Sequence, residues 1–144
     1  MLTFYSKTKL YMHFSLDEVV HMFIPRLEVV QTFVLPNKDG LVTDFCSFYH
    51  LPSTIIGNDK HNRLSAVYSY YNVATTMSLK DLMEMSLQKA RDLNVDVFNA
   101  LDLMDNLEFL EPLKFGVGDG YLQYYLYNWK CPEMVSAHVG LVLL

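Results

Sequence analysis

Apolar residues first fall into a helical period at Leu16, Val19, Val20, Phe23 and Ile24, spaced i, i+3, i+4, i+7 and i+8. Ser15-Leu-Asp-Glu18 has the form of a capping box and Pro25 stops the run, so a helix is expected over about 15–24. The pattern then turns to the β-branched and aromatic residues of strands at 27–35 and 41–50, joined by the hairpin loop Pro36-Asn-Lys-Asp-Gly40. Pro52 cannot donate to a ladder and interrupts the sheet pattern, and Gly57-Asn-Asp-Lys60 reads as an exposed turn. A third strand is expected at 65–74. A helix follows at about 78–93, capped by Ser78, with Leu79, Leu82, Met83, Ser86, Ala90 and Leu93 as its core stripe. Further strands are expected at 95–101, 121–129 and 139–144, and a short helix runs from Asp105 and Glu108 to near Pro112. Strands alternating irregularly with two or three helices, one hairpin being antiparallel, predict an α+β fold with one mixed sheet and helices packed on it. No internal repeat or flexible linker breaks the pattern, so the 144 residues read as one domain or a piece of one.

Composition narrows the class without naming a chemistry. Apolar residues make up 51%, charged residues 19% and aromatics 14%, which excludes a disordered, collagen-like or low-complexity chain. The net charge of −5 comes with no basic stripe, so nucleic acid is not an expected partner. Apolar runs of about six residues fall far short of the ~20 that span a bilayer, and two lysines break the amino-terminal segment where a secretory signal would be apolar. Cys46 and Cys131 read as buried thiols in a reducing compartment, and the expectation is a soluble, cytoplasmic protein.

Several strings invite a chemical reading. Phe115-Gly-Val-Gly-Asp-Gly120 has the glycines of a phosphate loop, but a helix precedes it, a strand is expected after it, and Asp119 would repel phosphate. A helix-to-strand turn using positive φ and a close backbone approach both stay open for it. The five histidines lack metal-site spacing, and Ser53 lacks the flanking glycines of a nucleophile elbow. Tyrosine is dense at Tyr68, Tyr70 and Tyr71 and again at Tyr121, Tyr124, Tyr125 and Tyr127, which suits either a partly wet peptide groove or an aromatic sheet face. Val139-Gly-Leu-Val-Leu-Leu144 is apolar to its last residue. If that strand is buried, it draws an α-carboxylate inward, where it can take a proton from an incoming amine; otherwise it merely ends near the surface.

Taken together, Phe48-Tyr-His-Leu-Pro-Ser-Thr-Ile55, Ala66-Val-Tyr-Ser-Tyr-Tyr-Asn72, Asp96-Val-Phe-Asn-Ala-Leu-Asp102, Lys114-Phe-Gly-Val-Gly-Asp-Gly120 and Gln123-Tyr-Tyr-Leu-Tyr-Asn128 closely resemble the carboxy-terminal part of the N-myristoyltransferase (glycylpeptide N-tetradecanoyltransferase) family. The resemblance is dense from about 42 to 144 and looser from about 10 to 41. It implies an acetyltransferase-like (GNAT-type) α+β fold, this chain being the second half of a duplicated unit. It implies an acyltransferase that moves myristate from myristoyl-CoA, a co-substrate, to the amino-terminal glycine of proteins. By motif, Ser53, Tyr68, Asp119, Gly120 and Leu122 would line the peptide groove, and the carboxylate of Leu144 would be the catalytic base. The family signature Glu-Ile-Asn-Phe-Leu-Cys is not in this sequence, so the acyl-CoA half is expected to be absent and the isolated chain inactive. Val30, Phe33, Val34 and the aromatic strands would then be uncovered. A non-catalytic module, or a truncated product, retaining a groove for glycine-leading peptides is the alternative. Pro112, before Lys114-Phe115, departs from the family pattern and is expected to shorten the preceding helix.

Overall fold

The computed structural model describes residues 8–143. The first helix, α1 (Leu16–Phe23), starts as its sequence requires: the Ser15 hydroxyl accepts the Glu18 N–H at 3.3 Å, and the Glu18 carboxylate accepts the Ser15 N–H at 2.7 Å. Ile24 turns to an extended conformation ahead of Pro25, where helical geometry would clash with the proline ring. Only part of the expected apolar stripe is used. Phe23 is buried and Val19 and Met22 pack beside it, while Leu16, Val20 and Ile24 face outward. A helix of barely two turns reaches the sheet along one side only.

The central sheet has four strands in the order β2 (Val30–Pro36), β3 (Val42–His50), β6 (Ala66–Val73) and β7 (Val97–Asn99). The first two contacts are antiparallel and the last is parallel. Asn37 shapes the β2–β3 hairpin by accepting the Asp39 and Leu41 N–H groups at 2.9 and 3.0 Å, and Gly40 takes the φ of +80° that the turn needs. Helix α2 (Leu79–Asp92) carries the chain from β6 to its parallel neighbour β7, as a parallel pair demands a crossover. Ser78 caps it through the Asp81 N–H at 3.1 Å, and Leu82, Met83, Ser86 and Ala90 are buried; Leu93, expected in the stripe, is exposed past the last turn. A small hairpin, β4 (Ser53–Thr54) with β5 (Arg63–Leu64), projects between β3 and β6.

Two apolar clusters result. Phe48, Val67 and Ala90 pack with Phe33, Val95 and Phe98 under α2, whereas Phe14, Phe23, Tyr70, Tyr71, Val73, Leu103, Met104, Val139 and Val142 form the larger core. The side on which each β6 residue falls is set by a bulge. Cys46 pairs with Asn72 and Phe48 with Ser69, so Tyr70 and Tyr71 together face the single residue Ser47. Both tyrosines therefore enter the same core, which strict alternation would forbid. The Ser47 hydroxyl closes the gap by donating to the Tyr71 carbonyl at 2.7 Å and accepting the Tyr71 N–H at 3.1 Å. The Ser47 N–H is taken by Asn72 Oδ1 at 3.2 Å, and Asn72 in turn donates to Ser69 Oγ at 2.9 Å.

A second buried polar knot ties β3 to the start of the α2 connection. Asp44, fully buried, accepts the Thr75 and Thr76 N–H groups at 2.6 and 2.9 Å and the Thr43 hydroxyl at 2.7 Å, together with the Thr76 hydroxyl. Burial would push its carboxyl up, but the donors from Thr76, Thr43 and Thr75 outweigh it and hold it far below the usual carboxylate range.

Four strand expectations fail, three in part and one outright. The strand expected at 95–101 keeps three residues and that at 139–144 keeps two, β8 (Val139–Gly140), which pairs parallel with β1 (Leu10–Tyr11). Gly140 lies against Thr8 so closely that a Cβ there would come within 2.5 Å of the Thr8 hydroxyl oxygen. Residues 121–129 form no strand, because no described strand lies alongside to complete a ladder. The strand expected from 27 begins only at Val30, after a turn in which Glu28 takes a φ of 57°. The short helix α3 (Leu107–Leu110) ends before Pro112, and its cap position, Asn106, spends its side chain on the Leu101 carbonyl at 2.7 Å. Cys46 is buried as expected, but Cys131 is exposed; Val30 is likewise covered by this chain itself, leaving Val34 outward.

Replacing Ser47 with alanine should cost about 1–3 kcal/mol, since it orphans a buried carbonyl and N–H at the bulge. Urea titration checks this, and an unchanged midpoint would remove the hydroxyl from the account. For Asp44 the sign follows from its lowered carboxyl: the stability it confers is complete above its unfolded value of about 4 and drains away as pH falls below that. The stability gap between the wild type and Asp44→Asn, measured by denaturant midpoint, should therefore shrink on acidification below about pH 4.

Candidate functional site

An open trough of about 1800 Å³ lies beside β7, bounded on the far side by the excursion that runs from Phe115 to Ser136. Its floor is β7 itself with Leu101, Leu103 and Leu110; Asp102, Glu111, Lys114 and Glu133 supply the charge around it. The excursion leaves Val117, Tyr121, Tyr125, Tyr127 and Trp129 largely uncovered.

The glycine string opens this excursion, and its geometry differs from both sequence readings. Neither a positive φ nor a close backbone approach explains it: Gly116, Gly118 and Gly120 have no left-handed conformation, and a Cβ on any of them would meet nothing within 4 Å. The left-handed turn that ends the helical segment falls one residue earlier, on Lys114 at φ 60°, where the Phe115 N–H returns to the Leu110 carbonyl at 2.9 Å. The three glycines instead place bare backbone in the trough lining, interleaved with Phe115, Val117 and Tyr121.

The residues singled out from sequence are distributed unevenly about this trough. Gly120 and Leu122 line it. Tyr68 is half-buried on β6, in register with Asn99 of the floor strand, and stacks on Tyr49 at 5.5 Å with an interplanar angle of 16°. Asp119 is exposed on the excursion but is not among the lining residues, and Ser53 is exposed on the β4–β5 hairpin opposite Leu64. Leu144 lies outside the described residues. Among the described residues no three His, Cys, Asp or Glu side chains gather as metal ligands, and no helix is long and apolar enough to cross a membrane.

What sequence reasoning missed is a group of phenols beside the trough. Of the dense tyrosines, Tyr70 and Tyr71 are core, not groove. Tyr49, quoted from the sequence only within the Phe48–Ile55 string, sits between Tyr68 and Tyr70; burial, with Tyr68 and Tyr124 nearby, pushes its hydroxyl up. The Tyr71 hydroxyl accepts the Val142 N–H at 3.1 Å, and the Tyr124 hydroxyl donates to the Leu141 carbonyl at 2.8 Å. Burial raises both phenols, so they stay neutral. The tyrosine count was the only trace of this in the sequence, because the bonded partners stand 71 and 17 residues apart.

Comparison with known proteins agrees with this architecture. Residues 1–142 match the family model described as Myristoyl-CoA:protein N-myristoyltransferase, C-terminal domain. Glycylpeptide N-tetradecanoyltransferase 2 of Danio rerio is 57% identical over 127 residues, which is 88% of this chain and 26% of that protein. The Drosophila melanogaster glycylpeptide N-tetradecanoyltransferase is 46% identical over 91% of this chain and 28% of its own length. The chain thus spans between a quarter and a third of these relatives. The crystal structure of Saccharomyces cerevisiae N-myristoyltransferase with bound myristoyl-CoA superposes with a TM-score of 0.76 at 34% identity, covering 82% of this chain and 33% of that one. A Trypanosoma brucei acetyltransferase shares the fold at 16% identity and a TM-score of 0.57, over 80% of this chain and 82% of its own. The α+β, acetyltransferase-like sheet built around the Ser47 bulge is therefore that of the N-myristoyltransferase family, to whose C-terminal domain this chain belongs.

Proposed function

We propose that this chain is the peptide-side domain of an N-myristoyltransferase, which transfers the myristoyl group of myristoyl-CoA to the amino-terminal glycine of substrate proteins. The observation that carries the reading is the family match over residues 1–142. In this reading Ser53, Tyr68, Asp119, Gly120 and Leu122 contact the peptide, while acyl-CoA, the co-substrate, is held mainly by the family's amino-terminal domain. A trough walled partly by glycines has room for an extended main chain. Two unpaired cysteines fit a cytoplasmic setting.

The chemistry needs a base. A glycine amine with a pKa near 8 is mostly protonated at neutral pH, and only the free amine attacks a thioester. The carboxylate of Leu144 takes one ammonium proton. The nitrogen lone pair then adds to the thioester carbonyl, the carbon–sulfur bond breaks, and the CoA thiolate leaves and is protonated as the amide forms. Val139 and Val142, both buried, anchor the segment that leads to this base.

Extending the chain beyond Leu144 by a short tag moves that carboxylate away. In a full-length transferase carrying this domain, the tag should lower kcat by about 100-fold or more while leaving the affinity for myristoyl-CoA within about twofold. Equal turnover with and without the tag would sink the assignment of the base. Gly120 and Leu122, both carried over by motif, line the trough together, which favours a second reading in which the domain alone retains peptide affinity. Titrating the 144-residue chain with a fluorescent glycine-leading octapeptide should then show saturable binding but no transfer of labelled myristate, and absence of saturation would reject that reading.

A further inference from the structure

Strand pairing holds the carboxy-terminal segment only as far as Gly140. The next two residues are gripped instead by two phenols from distant parts of the chain. Tyr71 accepts the Val142 N–H and Tyr124 donates to the Leu141 carbonyl. Tyr71 is only 1% exposed and cannot swing away. Phe14 and Tyr70 meet its ring at 5.4 and 4.7 Å, with Phe23 at 5.8 Å, and the bulge opposite Ser47 fixes its backbone. Val142, one of the two gripped residues, is buried as well.

We propose that Tyr71 and Tyr124 are positioning residues for the transfer reaction: together they fix the Leu141–Val142 peptide group and so the place where the Leu144 carboxylate stands. The inference rests on the reading of that carboxylate as the base. A general base must stand within hydrogen-bond reach of its proton, and misplacement by about 1 Å can cost ~100-fold in rate. Phenols suit this task because they bind main chain without carrying charge. A lysine in the same place would hold the segment equally but would also pair with the carboxylate and blunt it as a base. One hydroxyl acts as acceptor and the other as donor, so adjacent residues are held in complementary senses.

Phenylalanine keeps the ring and deletes only the grip. In a full-length transferase carrying this domain, Tyr71→Phe with Tyr124→Phe should lower kcat by about 100-fold, with KM for both substrates within about twofold. Hydrogen exchange followed by mass spectrometry on the same protein should show faster exchange in the peptide covering 139–144 and none of that change in the peptide covering β3. Deleting Leu144 is the companion measurement. Normal kcat in the double variant, where deletion of Leu144 abolishes turnover, would overturn the positioning role and leave the base assignment standing. Normal turnover after the deletion would overturn the base assignment and the positioning role with it. Loss of kcat accompanied by lost protection in β3 would mark the phenols as merely structural, and it too would overturn the proposal.

Discussion

Where β3 offers one residue and β6 offers two, something must satisfy the extra peptide group, and the Ser47 hydroxyl does so from both sides at once. Much of the molecule hangs on that substitution of a side chain for a ladder bond. It lets Tyr70 and Tyr71 enter one core, so that α1 has a surface to close on: Phe23 stacks on Tyr70 at 5.2 Å and meets Tyr71 edge-on at 5.8 Å. It also aims the Tyr71 hydroxyl out of the sheet toward Val142. A regular β6 would have sent Tyr71 to the α2 side among Phe48 and Val67. A serine, with one donor and two acceptor lone pairs in a small volume, is well matched to the place.

The elements legible in the sequence were those specified by their own neighbours. The capping box at Ser15, the Ser78 cap and the Asn37–Gly40 turn each act within a few residues, and helix and loop stand where their spacing put them. The failures share a cause. Residues 121–129 have every compositional mark of a strand, yet strand formation depends on an adjacent edge, which composition does not report. At 139–144 pairing stops where the two-residue β1 stops, and at 95–101 β7 turns away after Asn99 although β6 runs on to Val73, a departure equally unreported by composition. The bulge was equally invisible, since Ser47 and Tyr71 read as ordinary members of alternating strands.

For the site, the family resemblance and the physical reading contributed different things. Motif matching carried Ser53, Tyr68, Asp119, Gly120, Leu122 and Leu144 forward as a set. Only Gly120 and Leu122 share the trough, and Tyr68 reaches its border through Asn99. Ser53 and Asp119 are exposed and stand outside its lining. The glycines were legible as a string but not in their geometry: none takes a positive φ or meets a close neighbour, and the backbone reversal belongs to Lys114.

The pairing of β1 with β8 has a kinetic side. Leu10 and Val139 are register partners although almost the whole chain lies between them. Closing a loop of about 130 residues costs on the order of 4 kcal/mol of chain entropy, which a two-residue ladder cannot repay. The two ends therefore meet only after the central sheet and its larger core have shortened the path between them, and they part first when that core loosens. Gly140, which admits Thr8 at a distance no side chain would allow, guards the last step of assembly as much as the finished contact.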